Sequence, residues 1–304
     1  MANTEVVFGV EPNSLFALLG HNGAGKSTLF NQLTGLLAPT SGDAFVFGKS
    51  IKEEMDEIRA MMGVCPQHDI LWDDLTAAEH LRLFAQLKNV DTAGVNDEVD
   101  ARLSDVGLER QRDVMAGAYS GGMRRRLSTA IAFTGNPRIV FLDEPTTGMD
   151  PVTRRQVWNL IQRKKQDRII VLTTHSMEEA DVLSDRIGIL SRGRISTIGT
   201  ARYLKARYGT GTKLTIIPKS KNDRGGITEF VYSHLNGLDP VTTDNEERGG
   251  DVIYVVPETM HHLLNSPVLP SISNRDHNSC CIQAGIYVTG LVLGKRATHL
   301  CYPP

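Results

Sequence analysis

The feature that most constrains the fold is a glycine-rich stretch at residues 20–28, with the sequence Gly-His-Asn-Gly-Ala-Gly-Lys-Ser-Thr. An apolar run at residues 14–19 precedes it and has the length of a buried strand, and residues 29–37 continue as the start of a helix. A strand, a glycine-rich turn and a helix N-terminus present backbone N–H groups and partial positive charge to an anion. We therefore predict a phosphate-binding loop within an α/β fold.

The residue types in this loop suit a nucleotide polyphosphate. The glycines allow the backbone to fold around the phosphates, Lys26 can reach the β- and γ-phosphates, and Ser27 can offer its hydroxyl to Mg²⁺. We expect seven residues of the loop to hold the nucleotide: Gly20, Asn22, Gly23, Gly25, Lys26, Ser27 and Thr28.

The composition is that of a globular protein and argues against several other classes of protein. The chain has 304 residues, of which 40% are hydrophobic and 22% charged, as is usual for a globular protein with a large core. A formal net charge of -2 argues against a nucleic-acid partner. The four cysteines do not form a disulfide framework, so we expect a reducing compartment. No signal peptide is visible, and no apolar run reaches the ~20 residues that span a bilayer.

Residues 68–135 differ from the strand-rich segments on either side. Thr76 and Glu79 have the spacing of a capping box before an amphipathic run, and further helices are predicted at 96–106 and 122–134. The apolar runs on either side of this block predict buried parallel strands. The pattern therefore predicts a mainly parallel sheet with an inserted helical subdomain.

Two carboxylates follow one of these strands. Residues 139–142 are apolar, and Asp143 and Glu144 come next, at the carboxyl end of the strand, where α/β sheets bind ligands. We expect Asp143 to hold Mg²⁺, directly or through water. Glu144 would accept the proton of the attacking water or orient that water.

A third motif opens the last helix of the helical block. The sequence Tyr119-Ser120-Gly121-Gly122-Met123 resembles the Leu-Ser-Gly-Gly-Gln signature of ATP-binding cassette (ABC) proteins, with Tyr and Met as departures. A serine hydroxyl and glycine amides at a helix N-terminus can bind an anion. The resemblance implies that Ser120, Gly121 and Gly122 contact the γ-phosphate of a nucleotide held by a second cassette.

Three longer stretches make the resemblance narrower. They are residues 63–72, 141–151 and 174–181, with the sequences Gly-Val-Cys-Pro-Gln-His-Asp-Ile-Leu-Trp, Phe-Leu-Asp-Glu-Pro-Thr-Thr-Gly-Met-Asp-Pro and Thr-His-Ser-Met-Glu-Glu-Ala-Asp. They are similar to the nucleotide-binding domain of subfamily A ABC transporters, a subfamily associated with lipid export or translocation. The resemblance implies that Gln67 touches Mg²⁺ and the attacking water, and that His175 contacts the γ-phosphate. The metal ligands would then be Ser27, Gln67 and Asp143.

The resemblance also implies a domain plan and partners. We expect a P-loop NTPase cassette at residues 1–198, a small α+β extension at 199–260, and an atypical, poorly ordered tail at 261–304. The cofactors would be ATP and Mg²⁺. The partners would be a second ATP-binding cassette and the transmembrane domain of a transporter, which implies a location on the cytosolic face of a membrane. Cassettes usually carry an aromatic residue that stacks on adenine about two dozen residues before the lysine, and no such residue is assigned here.

The function implied is ATP hydrolysis that powers transport of a lipid-type substrate. One alternative is a soluble cassette ATPase acting on ribosomes or DNA, which would need a second cassette with a basic linker or a long coiled coil. The other is a catalytically impaired cassette serving as a nucleotide-gated interaction module. The presence of Glu144 and His175 argues against that second alternative.

Overall fold

The structure is a computed structural model that describes Asn3 and residues 6–208, 212–217, 229, 231–232, 252–256 and 285–289. The chain divides into two compact units, Met1–Ala201 and Arg202–Pro304, and each is described by itself.

The first unit alternates strands and helices. In chain order its elements are β1 (Leu15–Leu19), α1 (Lys26–Leu33), β2 (Phe45–Val46), β3 (Lys49–Ser50), α2 (Met55–Met61), β4 (Met62–Cys65), α3 (Ala77–Leu87), α4 (Val95–Val106), α5 (Gly121–Ala132), β5 (Ile139–Asp143), α6 (Pro151–Lys164), β6 (Ile169–Thr174), α7 (Met177–Leu183), β7 (Arg186–Ser191) and β8 (Arg194–Gly199).

One six-stranded sheet forms the centre of this unit, with the strand order β4-β5-β6-β1-β7-β8. All neighbouring pairs are parallel except β7 and β8, which form an antiparallel hairpin. Every residue of β1 and β5 is buried, as expected of parallel strands that are covered on both faces. The predicted P-loop NTPase fold with a mainly parallel sheet is confirmed.

The predicted helical block is present as α3, α4 and α5. Thr76 caps α3, and the reciprocal contacts between Thr76 and Glu79 confirm the capping box. The three helices share a buried cluster that includes Leu81, Leu103 and Leu127. Because this cluster is separate from the one that packs Phe30 against Phe141 on the sheet, the block has its own core. Its predicted limits, 68 and 135, stay a prediction.

The second unit contains all of α8 (Ala201–Tyr208) except its first residue, and a three-stranded antiparallel sheet of β9 (Thr212–Ile217), β10 (Val252–Val256) and β11 (Gly285–Thr289), in the order β10-β9-β11. A helix and strands were expected for the α+β extension at 199–260. β11 was not, since it lies in the tail for which poor order was predicted. The remainder of that prediction falls on residues outside the described part of the chain.

The segments before and after the phosphate loop are short. Val6 to Val10 is mostly apolar but forms no strand, and Phe8 stacks on Phe16 with ring centroids 4.9 Å apart. The residues at 44–47 have the pattern of a short strand, and the structure has a shorter one there, Phe45–Val46, which pairs with Lys49–Ser50 in a hairpin. A strand of two residues is too short to show the alternation of polar and apolar residues that fixes strand limits in a sequence.

Gly63 in β4 offers a test of the packing between the sheet and the helical block. A Cβ at this position would lie 1.8 Å from the carbonyl oxygen of Ala132, at the end of α5. We expect Gly63→Ala to lower the free energy of unfolding by about 1–3 kcal/mol or more, because backbone must move to admit the methyl group. Urea unfolding measures this.

Gly94 provides the matched control, since a Cβ there meets nothing within 4 Å and its φ is -93°. Gly94→Ala should be neutral or slightly stabilising. Equal stabilities for the two variants would contradict the close approach of α5 to β4.

Candidate functional site

The sheet order brings four loops to one edge. β4, β5, β6 and β1 are adjacent and parallel, so the segments that follow them leave the sheet side by side. These segments carry Gln67, the pair Asp143 and Glu144, His175, and the glycine-rich loop. Backbone hydrogen bonds join neighbouring loops at this edge: the Gly20 N–H donates to Thr174 O at 3.2 Å.

The conformation of the glycine-rich loop requires its glycines. Gly23 and Gly25 have φ values of 79° and 105°, in a region of backbone conformation that residues other than glycine rarely adopt. Gly20 has no room for a side chain, since a Cβ would lie 2.6 Å from the carbonyl oxygen of Leu190. The loop then passes directly into α1 at Lys26, so the N–H groups of the first helical turn are available to an anion.

Lys26 connects this loop to the carboxylate strand. Its side chain is 5% exposed, and its ammonium donates to the carbonyl oxygens of Gly20 at 2.9 Å and His21 at 3.3 Å and lies 3.2 Å from Glu144 Oε1. A buried cation with these partners has its charge compensated within hydrogen-bonding range. The loop and the end of β5 are therefore held together by one ion pair.

Glu144 is held on several sides. Its Oε2 accepts a hydrogen bond from Thr147 Oγ1 at 3.1 Å and lies 3.1 Å from His175 Nδ1. Its backbone N–H donates to both the carbonyl and the hydroxyl oxygen of Thr173, each at 3.1 Å. Its φ is 48°, a left-handed conformation that is uncommon for a glutamate.

The surroundings of Glu144 favour its ionised form. Burial acts to raise the pKa of this carboxyl, but the hydrogen bond and charge of Lys26, together with the contact to His175, lower it below its usual value. Glu144 is therefore a carboxylate at neutral pH and can accept a proton.

Asp143 and Ser27 meet beside this carboxylate. Burial raises the pKa of the Asp143 carboxyl, and the Thr173 and Ser27 hydroxyls beside it act in the opposite direction. Thr173 Oγ1 donates a hydrogen bond to Asp143 Oδ1. A carboxylate with a neighbouring serine hydroxyl is a hard oxygen donor set, which fits Mg²⁺, an ion that takes one or two carboxylates and completes its shell with water and phosphate oxygens.

Two predicted parts of the site make no described hydrogen bond to its central residues. Gln67 is exposed, and within the described residues no hydrogen bond or ion pair links its side chain to Asp143 or Glu144. Ser120 caps α5, with its Oγ accepting from the Met123 N–H at 3.3 Å, and Ser120 and Gly121 are exposed. No hydrogen bond that the structure describes joins Ser120 or the two glycines to the loop at residues 20–28.

A buried glutamate behind the site was missed by the sequence analysis. Glu179 in α7 is 2% exposed, and its Oε1 accepts from Thr146 Oγ1 at 2.7 Å and from Trp158 Nε1 at 3.0 Å. Thr146 follows Glu144 by two residues, so Glu179 links the carboxylate loop to the helix that follows His175. No pattern in α7 distinguishes Glu179 from its half-buried neighbour Glu178.

Comparison with known proteins agrees with this geometry. The family model described as ABC transporter matches residues 4–147. ABC transporter A family member 2 of Arabidopsis thaliana is 48% identical over 268 residues, which cover 84% of this chain and 27% of that protein. The phospholipid-transporting ATPase ABCA3 of Rattus norvegicus is 40% identical over 266 residues, which cover 88% of this chain and 15% of that protein.

A solved structure of the ATP binding subunit of an ABC transporter has a TM-score of 0.63 and 28% identity, and the match covers 68% of this chain and 87% of that one. The glycine-rich loop, the carboxylate pair and the sheet order thus define a nucleotide-binding cassette of the P-loop class. The chain belongs to the ABC transporter family, and its similarity to A family members places it in subfamily A. The resemblance stated from the motifs is confirmed.

This chain spans about a quarter or less of the curated relatives, 27% of one and 15% of the other. Of the helices in the part that the structure describes, none has the length and apolar character needed to cross a membrane.

Glu179 generates a pH prediction. Burial raises the pKa of its carboxyl, against the opposing hydrogen bonds from Thr146, Thr174 and Trp158. Folding therefore favours the protonated form, so the stability linked to this group is complete below the unfolded pKa, near 4.5, and is lost as pH rises through the folded pKa. Glu179→Gln keeps an uncharged side chain at every pH.

We expect the variant to gain stability relative to the wild type as the pH rises above about 4.5, by about 1.4 kcal/mol for each unit by which the folded pKa exceeds the unfolded pKa. Chemical unfolding at several pH values measures the difference. If the difference in free energy of unfolding between variant and wild type does not change with pH, or changes in favour of the wild type as the pH rises, Glu179 is ionised in the folded chain.

Proposed function

We propose that this cassette binds ATP with Mg²⁺ and hydrolyses the bond to the γ-phosphate. The observation that carries the proposal is the continuous contact from Lys26 in the phosphate loop, through Glu144, to His175. A cation for the phosphates, a carboxylate for the attacking water and an imidazole next to it occupy one edge of the sheet. This is the set of groups that phosphoryl transfer to water requires.

The nucleotide phosphates would lie in the loop, with backbone N–H groups and Lys26 as donors. Gly20, Asn22, Gly23, Gly25, Ser27 and Thr28 would form the rest of that cradle. Ser27 and Asp143 would hold Mg²⁺, which would neutralise phosphate charge when bound, with Gln67 as a further ligand. Gln67 is exposed and its loop is adjacent to the Asp143 turn, so its side chain could turn towards the ion when Mg²⁺ and nucleotide bind.

Glu144 would take the proton from water as that water attacks the γ-phosphorus. Phosphate oxygens compete with Glu144 for the Lys26 ammonium, and an ammonium drawn towards phosphate stabilises the Glu144 carboxylate less. The pKa of Glu144 then rises towards the range of an effective base. His175, 46% exposed at its side chain, can turn its second ring nitrogen to the γ-phosphate.

A second cassette is the proposed partner. Ser120, Gly121 and Gly122 form an exposed helix N-terminus that does not contact the loop of its own chain within the described structure. A helix of 12 residues presents partial positive charge at this end, which suits the γ-phosphate of a nucleotide in a facing cassette. Each complete site would combine the loop of one copy with the signature of the other.

The larger role that we propose is transport of a lipid-type substrate through transmembrane segments of a parent protein. The support is the similarity to a relative named as a phospholipid-transporting ATPase. The cassette would then act at the cytosolic face of a membrane. In reconstituted parent protein, ATP-dependent movement of phospholipid should be lost on Glu144→Gln, and movement unaffected by that change would contradict this role.

The hydrolytic role is tested by Glu144→Gln in the purified chain. The change keeps the size of the side chain but removes its ability to accept the proton of water. Turnover of ATP should fall by about 10²–10⁴-fold, while the Kd for ATP stays near that of the wild type. Lys26→Ala should instead weaken ATP binding itself, as measured by titration.

Glu178→Gln is the matched control, since it removes a carboxylate from the same edge region without a contact to the site. It should leave turnover unchanged. Normal turnover in the Glu144→Gln protein would remove Glu144 from the mechanism. ATP binding without turnover in the wild type would instead favour a nucleotide-gated interaction module.

A further inference from the structure

Arg125, in the second turn of α5, is a buried cation surrounded by hydrogen-bond acceptors. The residue is 5% exposed, and its guanidinium donates to five oxygens. Its acceptors are the carbonyl oxygens of Pro66, Asp143, Glu144 and Pro145 and the carboxylate of Asp69. The hydrolysis proposed above does not by itself require this arginine.

Three of these acceptors are consecutive carbonyls of the carboxylate turn. Nη2 donates to the carbonyl oxygen of Asp143 at 2.5 Å and to that of Glu144 at 3.1 Å, and Nε donates to that of Pro145 at 3.1 Å. Arg125 therefore binds the backbone that carries both site carboxylates and makes no described hydrogen bond to the carboxylates themselves.

The other two acceptors are on either side of Gln67. Nη1 donates to the carbonyl oxygen of Pro66 and, at 3.1 Å, to Asp69 Oδ1. One planar side chain thus joins the loop of Gln67 to the turn of Glu144. Arg125 also lies five residues after Ser120, so the rigid helix connects the exposed signature to both loops over about 7–8 Å.

The backbone of Glu144 needs such support. Its φ of 48° places a residue with a Cβ in the left-handed region, and a conformation of this kind persists only when surrounding contacts hold it. The Arg125 donors hold the carbonyl groups before and after this residue. Its charge has one carboxylate partner, Asp69, and otherwise faces neutral carbonyl oxygens, so the contact serves geometry more than charge neutralisation.

We propose that Arg125 is a positioning residue for hydrolysis: it holds the Glu144 turn and the Gln67 loop in register with the signature helix. A facing nucleotide that engages Ser120 would move α5, and Arg125 would carry that movement to both loops. This inference rests on the proposed ATPase function. Arg125 would act through the backbone of these two loops.

The test compares Arg125→Lys and Arg125→Gln in the full chain. Lysine keeps the charge but cannot reach acceptors on both loops, and glutamine keeps only a short amide donor. A small displacement of a catalytic group can cost about 10²-fold in rate, so we expect turnover to fall by about 10-fold for Lys and about 100-fold for Gln. The Kd for ATP should stay within about three-fold, since the phosphate loop is untouched.

Two further variants separate positioning from charge and from general packing. Asp69→Asn removes the ion-pair partner but leaves the carbonyl contacts, and should lower turnover by less than about three-fold. Arg126→Gln changes the next residue of the same helix, whose Nη1 donates to the Val106 carbonyl oxygen at 2.7 Å, away from the site. Its turnover should match the wild type.

Wild-type turnover in folded Arg125→Lys protein would overturn the inference. So would parallel losses of turnover and ATP affinity, which a general loss of structure produces. If Arg125→Gln does not fold, the lysine variant alone decides, since it retains the buried cation. If the wild type and its Glu144→Gln variant show the same turnover, the proposed role of Glu144 in hydrolysis is contradicted. That outcome is distinct from the two results for the Arg125 variants that would overturn the inference.

Discussion

The ion pair between Lys26 and Glu144 is the interaction on which the arrangement of the site depends. Both side chains are almost fully buried, and a buried charge is costly unless partners surround it. Two loop carbonyls complete the shell of the cation, and Thr147 and His175 complete that of the anion. The phosphate loop and the carboxylate turn therefore hold each other in direct contact, 3.2 Å between Lys26 Nζ and Glu144 Oε1, and a phosphate that binds Lys26 would take the place of this ion pair.

The parallel sheet makes this pairing possible. β6 lies between β1 and β5, so the loop after β1 and the turn after β5 are two strands apart, about 10 Å, and a lysine side chain can bridge part of that gap. Thr173 at the end of β6 fills the remaining space and bonds both Asp143 and Glu144. Because of the strand order, four motifs that are far apart in the sequence lie side by side at one edge of the sheet.

Much of this could be predicted from the sequence, because the decisive features are local. The glycine-rich loop, the apolar strand before Asp143 and the capping box at Thr76 each have a pattern of a few residues. Contacts that depend on burial could not be predicted in this way. Arg125 lies in a run of three arginines, and only the packing of α5 on the sheet shows which one is buried among carbonyl groups. The same holds for Glu179, and for the left-handed backbone of Glu144.

The central claim is that one catalytic site takes its loop and its signature from different copies. Two tethered pairs test it. In the first, one copy carries Lys26→Ala and the other Ser120→Arg, so that both lesions fall in one composite site and the other site is intact. In the second, one copy carries both changes and the other none, so that each composite site has one lesion. The account predicts about half of the wild-type ATPase activity in the first pair and none in the second, for independent sites. Activity in the second pair and none in the first would show that each copy hydrolyses ATP alone.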